Sequence, residues 1–192
     1  MRGITIIVFM VLVIGGQVDA QERKPLELSL GVEMSLPAHP DQFTDGWKAG
    51  PGGMFGVGYN VASNIDIMAK AEYHVFPHDP PLPYTNDTDK GRKRIFMFGV
   101  DGVANERIGA GPVGFVFLAG VGVAHATVFG IEQGGDTVIR ETAETGIYFN
   151  VGGGFQWDVG KGKALFIHGR YVGILTEEEG TSFFPITVGF RF

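Results

Sequence analysis

Ser182-Phe-Phe-Pro-Ile-Thr-Val-Gly-Phe-Arg-Phe192 is the stretch that decides the fold. In steps of two, Phe184, Ile186, Val188, Phe190 and Phe192 share one face, while Pro185, Thr187, Gly189 and Arg191 share the other. Successive side chains of a strand point to opposite faces, so this is a strand with one bulky apolar face and one small or polar face. Such a strand lies either on a soluble core or against lipid. The strands upstream decide between the two.

The same alternation recurs seven times before it. Leu26, Leu28, Leu30, Val32, Met34 and Leu36 alternate with Glu27, Ser29, Gly31, Glu33 and Ser35. That run is longer than the roughly 5–6 residues usual in soluble domains and matches the roughly 9–11 that a membrane-spanning strand needs. Further strands are predicted over 54–62, 65–75, 94–103, 113–126, 145–158 and 164–174. In the third, Asp66, Met68, Lys70, Glu72 and His74 form a face that lipid cannot cover. Connections over 37–51, 77–93 and 130–141 read as long loops, and Thr176 to Thr181 as a short acidic one. The Ser63-Asn64, 104–112 and 159–163 connections read as tighter turns. Eight strands with long and short connections in alternation predict an antiparallel up-and-down barrel. Closure between the last strand and the first would leave no edge.

Composition agrees with an all-β chain. Thirty-one glycines and sixteen phenylalanines occur without a long helical periodicity. The formal charge is −6, so no basic excess points to nucleic acid. Met1-Arg2, the apolar run from Ile4 to Ile14 and Val18-Asp19-Ala20 predict a secretory signal peptide over residues 1–20, with the barrel domain over 21–192. The apolar run is shorter than the ~20 residues of a spanning helix. There is no cysteine, hence neither a lipoprotein anchor nor a disulfide framework.

Together, the strand count, the alternation and the Gly-Phe-Arg-Phe192 ending resemble the small eight-stranded outer-membrane β-barrels, the class of the OmpA transmembrane domain and OmpX. The resemblance covers the whole of 21–192. It implies an eight-stranded antiparallel transmembrane barrel in the outer membrane of a Gram-negative-type bacterium, in contact with outer-membrane lipids including lipopolysaccharide. It also implies that Phe190 and Phe192 form an assembly signal read by the barrel-assembly machinery. No periplasmic domain is expected beyond the last strand. A soluble lipocalin-like barrel would be apolar inside and polar outside, the reverse of this pattern.

With that orientation, alternation sends Glu27, Glu33, Asp66, Lys70, Glu72, Asp101, His168, Arg170 and Arg191 into the lumen. Buried charges must pair. Glu27 is expected to meet Arg191, Arg170 to meet Glu72 or Glu33, and Lys70 to meet Asp101. The set reads either as a structural plug or as an ion path. Tyr59, Trp157 and Phe192 are expected outward at the periplasmic rim, and Tyr73, Tyr171 and Phe184 outward at the outer rim, as interface girdles. Pro185 sits awkwardly in a strand that must pair on both sides, since it has no N–H.

Enzymatic signals are thin. Lipid A-modifying barrels of this size include a deacylase family with a His-x-Ser motif. Here the nearest approach is His125-Ala-Thr127, with Glu132, Glu141 or Glu144 as conceivable carboxylate partners. His74, His78, Asp79, Asp87 and Asp89 could form a surface cation site but match no defined metal loop. Gly152-Gly-Gly154 opens no helix and precedes no Lys-Ser or Lys-Thr, so it is not a phosphate loop. The expectation is therefore a monomeric, non-enzymatic barrel without cofactor or metal. A small passive pore is the alternative, and a lipid-modifying enzyme the more distant one.

Overall fold

The computed structural model describes residues 26–78, 92–128, 131–133, 136–139, 142–160, 162–176 and 180–192. The expected signal peptide lies outside the described residues, as do Asp79, Asp87, Asp89 and Glu141. The chain order is β1 (Leu26–His39), α1 (Asp41–Gly46), β2 (Gly50–Ala62), β3 (Ile65–Pro77), β4 (Arg92–Arg107), β5 (Val113–Val128), β6 (Ile131–Gln133), β7 (Asp136–Ile139), β8 (Thr142–Gly160), β9 (Lys163–Leu175) and β10 (Thr181–Arg191). Eight of these strands close an antiparallel barrel in the order β1-β10-β9-β8-β5-β4-β3-β2, and β6 and β7 form a separate hairpin. The barrel closes where Val32 faces Val188 in the β1–β10 register. Leu28 and Phe192 exchange both backbone hydrogen bonds at 2.9 Å, extending that seam to the turn end.

All eight barrel strands are present, and they run further than alternation alone predicts. β4 continues to Arg107, which pairs with Gly114, so 104–107 of the predicted 104–112 turn is strand. Beyond Ala104 the added residues pair with β5 alone, and that ladder still satisfies backbone groups where the side-chain pattern has already faded. The first connection is not a plain loop over 37–51. β1 extends to His39, α1 follows, and β2 begins at Gly50. The 130–141 connection likewise contains the β6–β7 hairpin.

The barrel is inside-out relative to a soluble domain. Val32 is 70% exposed and Phe98 60%, whereas Lys70 is 2% exposed. The outward row on every barrel strand is the apolar one, as on Leu30, Phe55, Ile67, Val121, Val151 and Ile186. Among the described residues no helix is long and apolar enough to cross a membrane, and here the strands do that work. Pro185 faces Ser35 on one side; on the other, the β10–β9 pairing skips from Phe183–Val172 to Ile186–Gly169. The missing N–H therefore falls in a gap in the ladder, close to the loop end.

Glycine makes room inside. A Cβ on Gly122 would lie 2.5 Å from the Tyr148 ring and 2.6 Å from the Gly99 Cα. Those two glycines face each other across β4 and β5 and let the fully buried Tyr148 lie over them.

Candidate functional site

The lumen is layered. At the turn end, Asp66 accepts hydrogen bonds from Asn60 (2.8 Å) and Asn105 (2.7 Å). Arg191 reaches from β10 to both Asp66 and Glu27, at 3.4 Å each. Above this lies an apolar cluster of Met54, Met68, Val103, Val116, Leu118 and Phe166. His168 stacks on Phe166 with ring centroids 5.2 Å apart and is itself buried.

The middle layer carries the charge. Nη2 of Arg170 lies 2.7 Å from Glu33 Oε1 and 2.6 Å from Glu72 Oε1, so one guanidinium on β9 bridges acids on β1 and β3. Thr187 donates to the same Glu33 oxygen at 2.6 Å. Lys70 lies 2.8 Å from Asp101 and 3.3 Å from Glu72, and Asn150 donates to the other Asp101 oxygen at 2.9 Å. His74 extends this layer, with Nδ1 2.9 Å from Ser35 Oγ and 3.6 Å from Glu33 Oε2. The side chains of Glu33, Lys70, Glu72, Asp101 and Arg170 are all 0–1% exposed. Charges so deeply buried are tolerated only in a network of this kind, where each faces an opposite charge or a donor.

A second apolar cluster lies at the loop end: Phe43, Phe76, Ile95, Met97, Ala124, Tyr148, Val172, Ile174 and Phe183. α1 supplies its lid. Phe43 points down onto Phe76 with ring centroids 4.9 Å apart, and Phe76 lies 5.4 Å from Phe183. Lys93 Nζ sits 4.3 Å from the Phe43 ring centroid and reaches Thr181 Oγ1 at 3.4 Å. The segment after α1 is stitched to the end of β3, with Lys48 N–H donating to Pro77 O at 2.8 Å and Trp47 bridging His78.

No protein-family model and no curated protein matches the chain. Solved structures do resemble it. Neisserial surface protein A aligns with TM-score 0.64 at 15% identity, over 88% of this chain and 96% of that one. Ail, the attachment invasion locus protein of Yersinia pestis, aligns with TM-score 0.54 at 14% identity, over 87% and 97%. Ail in complex with the heparin analogue sucrose octasulfate gives 0.52 at 16% identity, over 87% and 97%. The fold is that of the small eight-stranded outer-membrane barrels. An apolar outer wall on a closed antiparallel sheet, with ionisable groups held inside, is the arrangement a bilayer requires.

On the outer wall of the barrel, Tyr59, Trp157 and Phe192 stand outward near the turns, with Tyr59 opposite Leu26 and Trp157 opposite Leu165. Tyr73 and Phe184 stand outward toward the loops, and Tyr171 packs on Phe184 at 5.3 Å. Phe190, on β10, and Phe192, just after it, have ring centroids 6.0 Å apart.

The two chemical candidates fare differently from their sequence reading. His125 Nδ1 hydrogen-bonds Thr145 Oγ1 at 2.9 Å on the outer wall, so its hydroxyl partner is Thr145 and not Thr127. The ladder explains this: His125 and Thr145 are direct cross-strand partners, while Thr127 lies opposite Ala143. Glu144 lies opposite Ala126, on the other face of the wall from His125. His74 is buried in the lumen and His78 packs on Trp47, so the two do not share a surface cation site. Among the described residues no three His, Asp or Glu side chains converge as metal ligands.

Sequence reasoning missed the two apolar layers and the lid. Their signal was present where alternation lapses and both faces become apolar: Phe115-Val-Phe-Leu118, Ile95-Phe-Met-Phe98, Val75-Phe76 and Phe183-Phe184. In each, one parity feeds the lipid face and the other feeds a lumenal cluster.

Proposed function

We propose that this outer-membrane protein is a sealed, non-enzymatic scaffold that contributes to envelope integrity or to surface interaction through its loops. The observation that carries the reading is the charged layer at 0–1% exposure, closed above and below by apolar clusters. A water-filled path would need that layer open to solvent. Instead its charges are buried and each stands beside an opposite charge, although Glu72 Oε2 and Nε and Nη1 of Arg170 have no hydrogen-bond partner among the described residues. The protein works as a monomer in contact with lipopolysaccharide, and outward-facing Phe190 on β10 and Phe192 just after it are what the barrel-assembly machinery reads.

Single-channel recording in a planar bilayer tests this. The refolded protein is expected to stay silent while its gel mobility remains heat-modifiable, the sign of a folded barrel. Discrete conductance steps that change on Glu72→Gln substitution would replace the scaffold with a small pore. The enzymatic alternative has a separate test. Replacing His125 with Ala is expected to leave lipid A acylation unchanged in cells expressing the protein, because His125 is bonded to Thr145 and Glu144 faces the other side of the wall. The side chains of Glu132 and Glu141 lie outside the described residues. Loss of an acyl chain that depends on His125 would overturn the non-enzymatic reading.

A further inference from the structure

The outer wall is not uniform around its circumference. On β4 the outward row runs Phe98, Phe96, Arg94, Arg92 toward the loops. Beside it, β5 runs Val123, His125, Thr127, and β8 runs Ile147, Thr145. The register places these in adjoining rows: Arg94 faces Thr127, and Phe96, His125 and Thr145 lie side by side. Across three neighbouring strands the apolar belt thus ends in two guanidiniums, an imidazole and two hydroxyls. On the opposite flank, at the corresponding end of β10 and β1, the wall stays apolar with Phe184 and Leu36.

We propose that this flank is a binding site for the phosphate groups of an outer-leaflet glycolipid. The proposal rests on the outer-membrane reading and specifies where one class of lipid is held. Three features argue for it. Depth comes first: the row sits immediately above Phe96, where hydrocarbon gives way to headgroups and where a lipid phosphate lies. Chemistry comes second. Guanidinium presents a planar fork of donors that matches a phosphate's oxygens, and such charge-assisted hydrogen bonds are about twice as strong as neutral ones. Pre-organisation comes third. The His125–Thr145 hydrogen bond fixes the imidazole on the wall, and the strand backbone fixes the spacing of Arg94 and Thr127. Rigid placement on strands lowers the ordering entropy lost when a lipid is held. A lipid is favoured over a soluble anion because His125 and Thr145 face outward from the wall, beside the apolar belt, and not into the lumen.

The test is native mass spectrometry of the refolded protein in detergent micelles with bis-phosphorylated lipid A, and with the same lipid after dephosphorylation. The phosphorylated lipid is expected to bind at least tenfold more tightly. Arg92→Gln/Arg94→Gln is expected to remove that preference, while Leu36→Gln on β1, across the barrel, preserves it. Equal binding of the two lipids, or an unchanged preference in the double variant, would overturn the site. Saturation by inorganic phosphate at the same concentration would overturn the assignment to lipid. Heat-modifiable mobility and insertion into phospholipid vesicles are measured on each variant. Failure of the unaltered protein to insert would defeat the outer-membrane reading itself, whereas insertion with phosphate-blind binding would defeat only the site.

Discussion

Arg170→Met lowers the stability of the folded barrel by about 3–5 kcal/mol, read from urea-induced unfolding in lipid vesicles. The substitution keeps most of the side chain's volume and removes its charge. Glu33 and Glu72, whose side chains are 0% exposed, would then lose the guanidinium that holds each at 2.6–2.7 Å. Breaking one partner of a buried pair costs far more than the pair contributes, because the remaining charge is stranded. The contrast is the triple variant Glu33→Gln/Glu72→Gln/Arg170→Met, in which no charge is left unmatched between these three. It is expected to recover most of the loss. A near-neutral single variant would mean that water already reaches the layer, and the sealed-lumen reading would fall with it.

Phe76→Ala produces the second large effect, also about 3–5 kcal/mol, the range for truncating a fully buried aromatic. Phe76 is 0% exposed and is the ring on which both Phe43 and Phe183 rest. The distinguishing readout is local. With its seat gone, Phe43 loses the contact that holds α1 over the barrel mouth, and limited proteolysis within 41–48 is expected to accelerate while the membrane-embedded strands stay protected. Unchanged cleavage in that segment would show that the backbone stitch from Lys48 to Pro77 holds the lid without the aromatic contact.

These two variants mark where sequence and tertiary structure divide the information. The alternation of Leu26 to Leu36, or of Phe184 to Phe192, is legible because each strand sits between two media, lipid on one side and lumen on the other. A period of two follows from that constraint alone and needs no knowledge of neighbours. Strand number and antiparallel order follow from the turn signals. The inward placement of Glu33, Lys70, Glu72 and Arg170 was legible on the same ground. The lid was not: Phe43 lies in a stretch rich in Pro, Asp and Gly, where nothing local distinguishes a solvated aromatic from one that seats a helix. The partner of His125 was also hidden, since Thr145 and Thr127 differ only in which strand residue the register sets beside it.

The sequence by itself determined the class of the fold, the face each strand turns to lipid, and the types of residue that enter the lumen. Only closure of the barrel decided that Arg170 serves Glu33 and Glu72 at once, residues far apart along the chain. Only closure decided, too, that the charged layer lies between two apolar ones. The physical reason is that alternation is a property of one strand in its surroundings, whereas contact across a lumen depends on the shear of eight strands taken together.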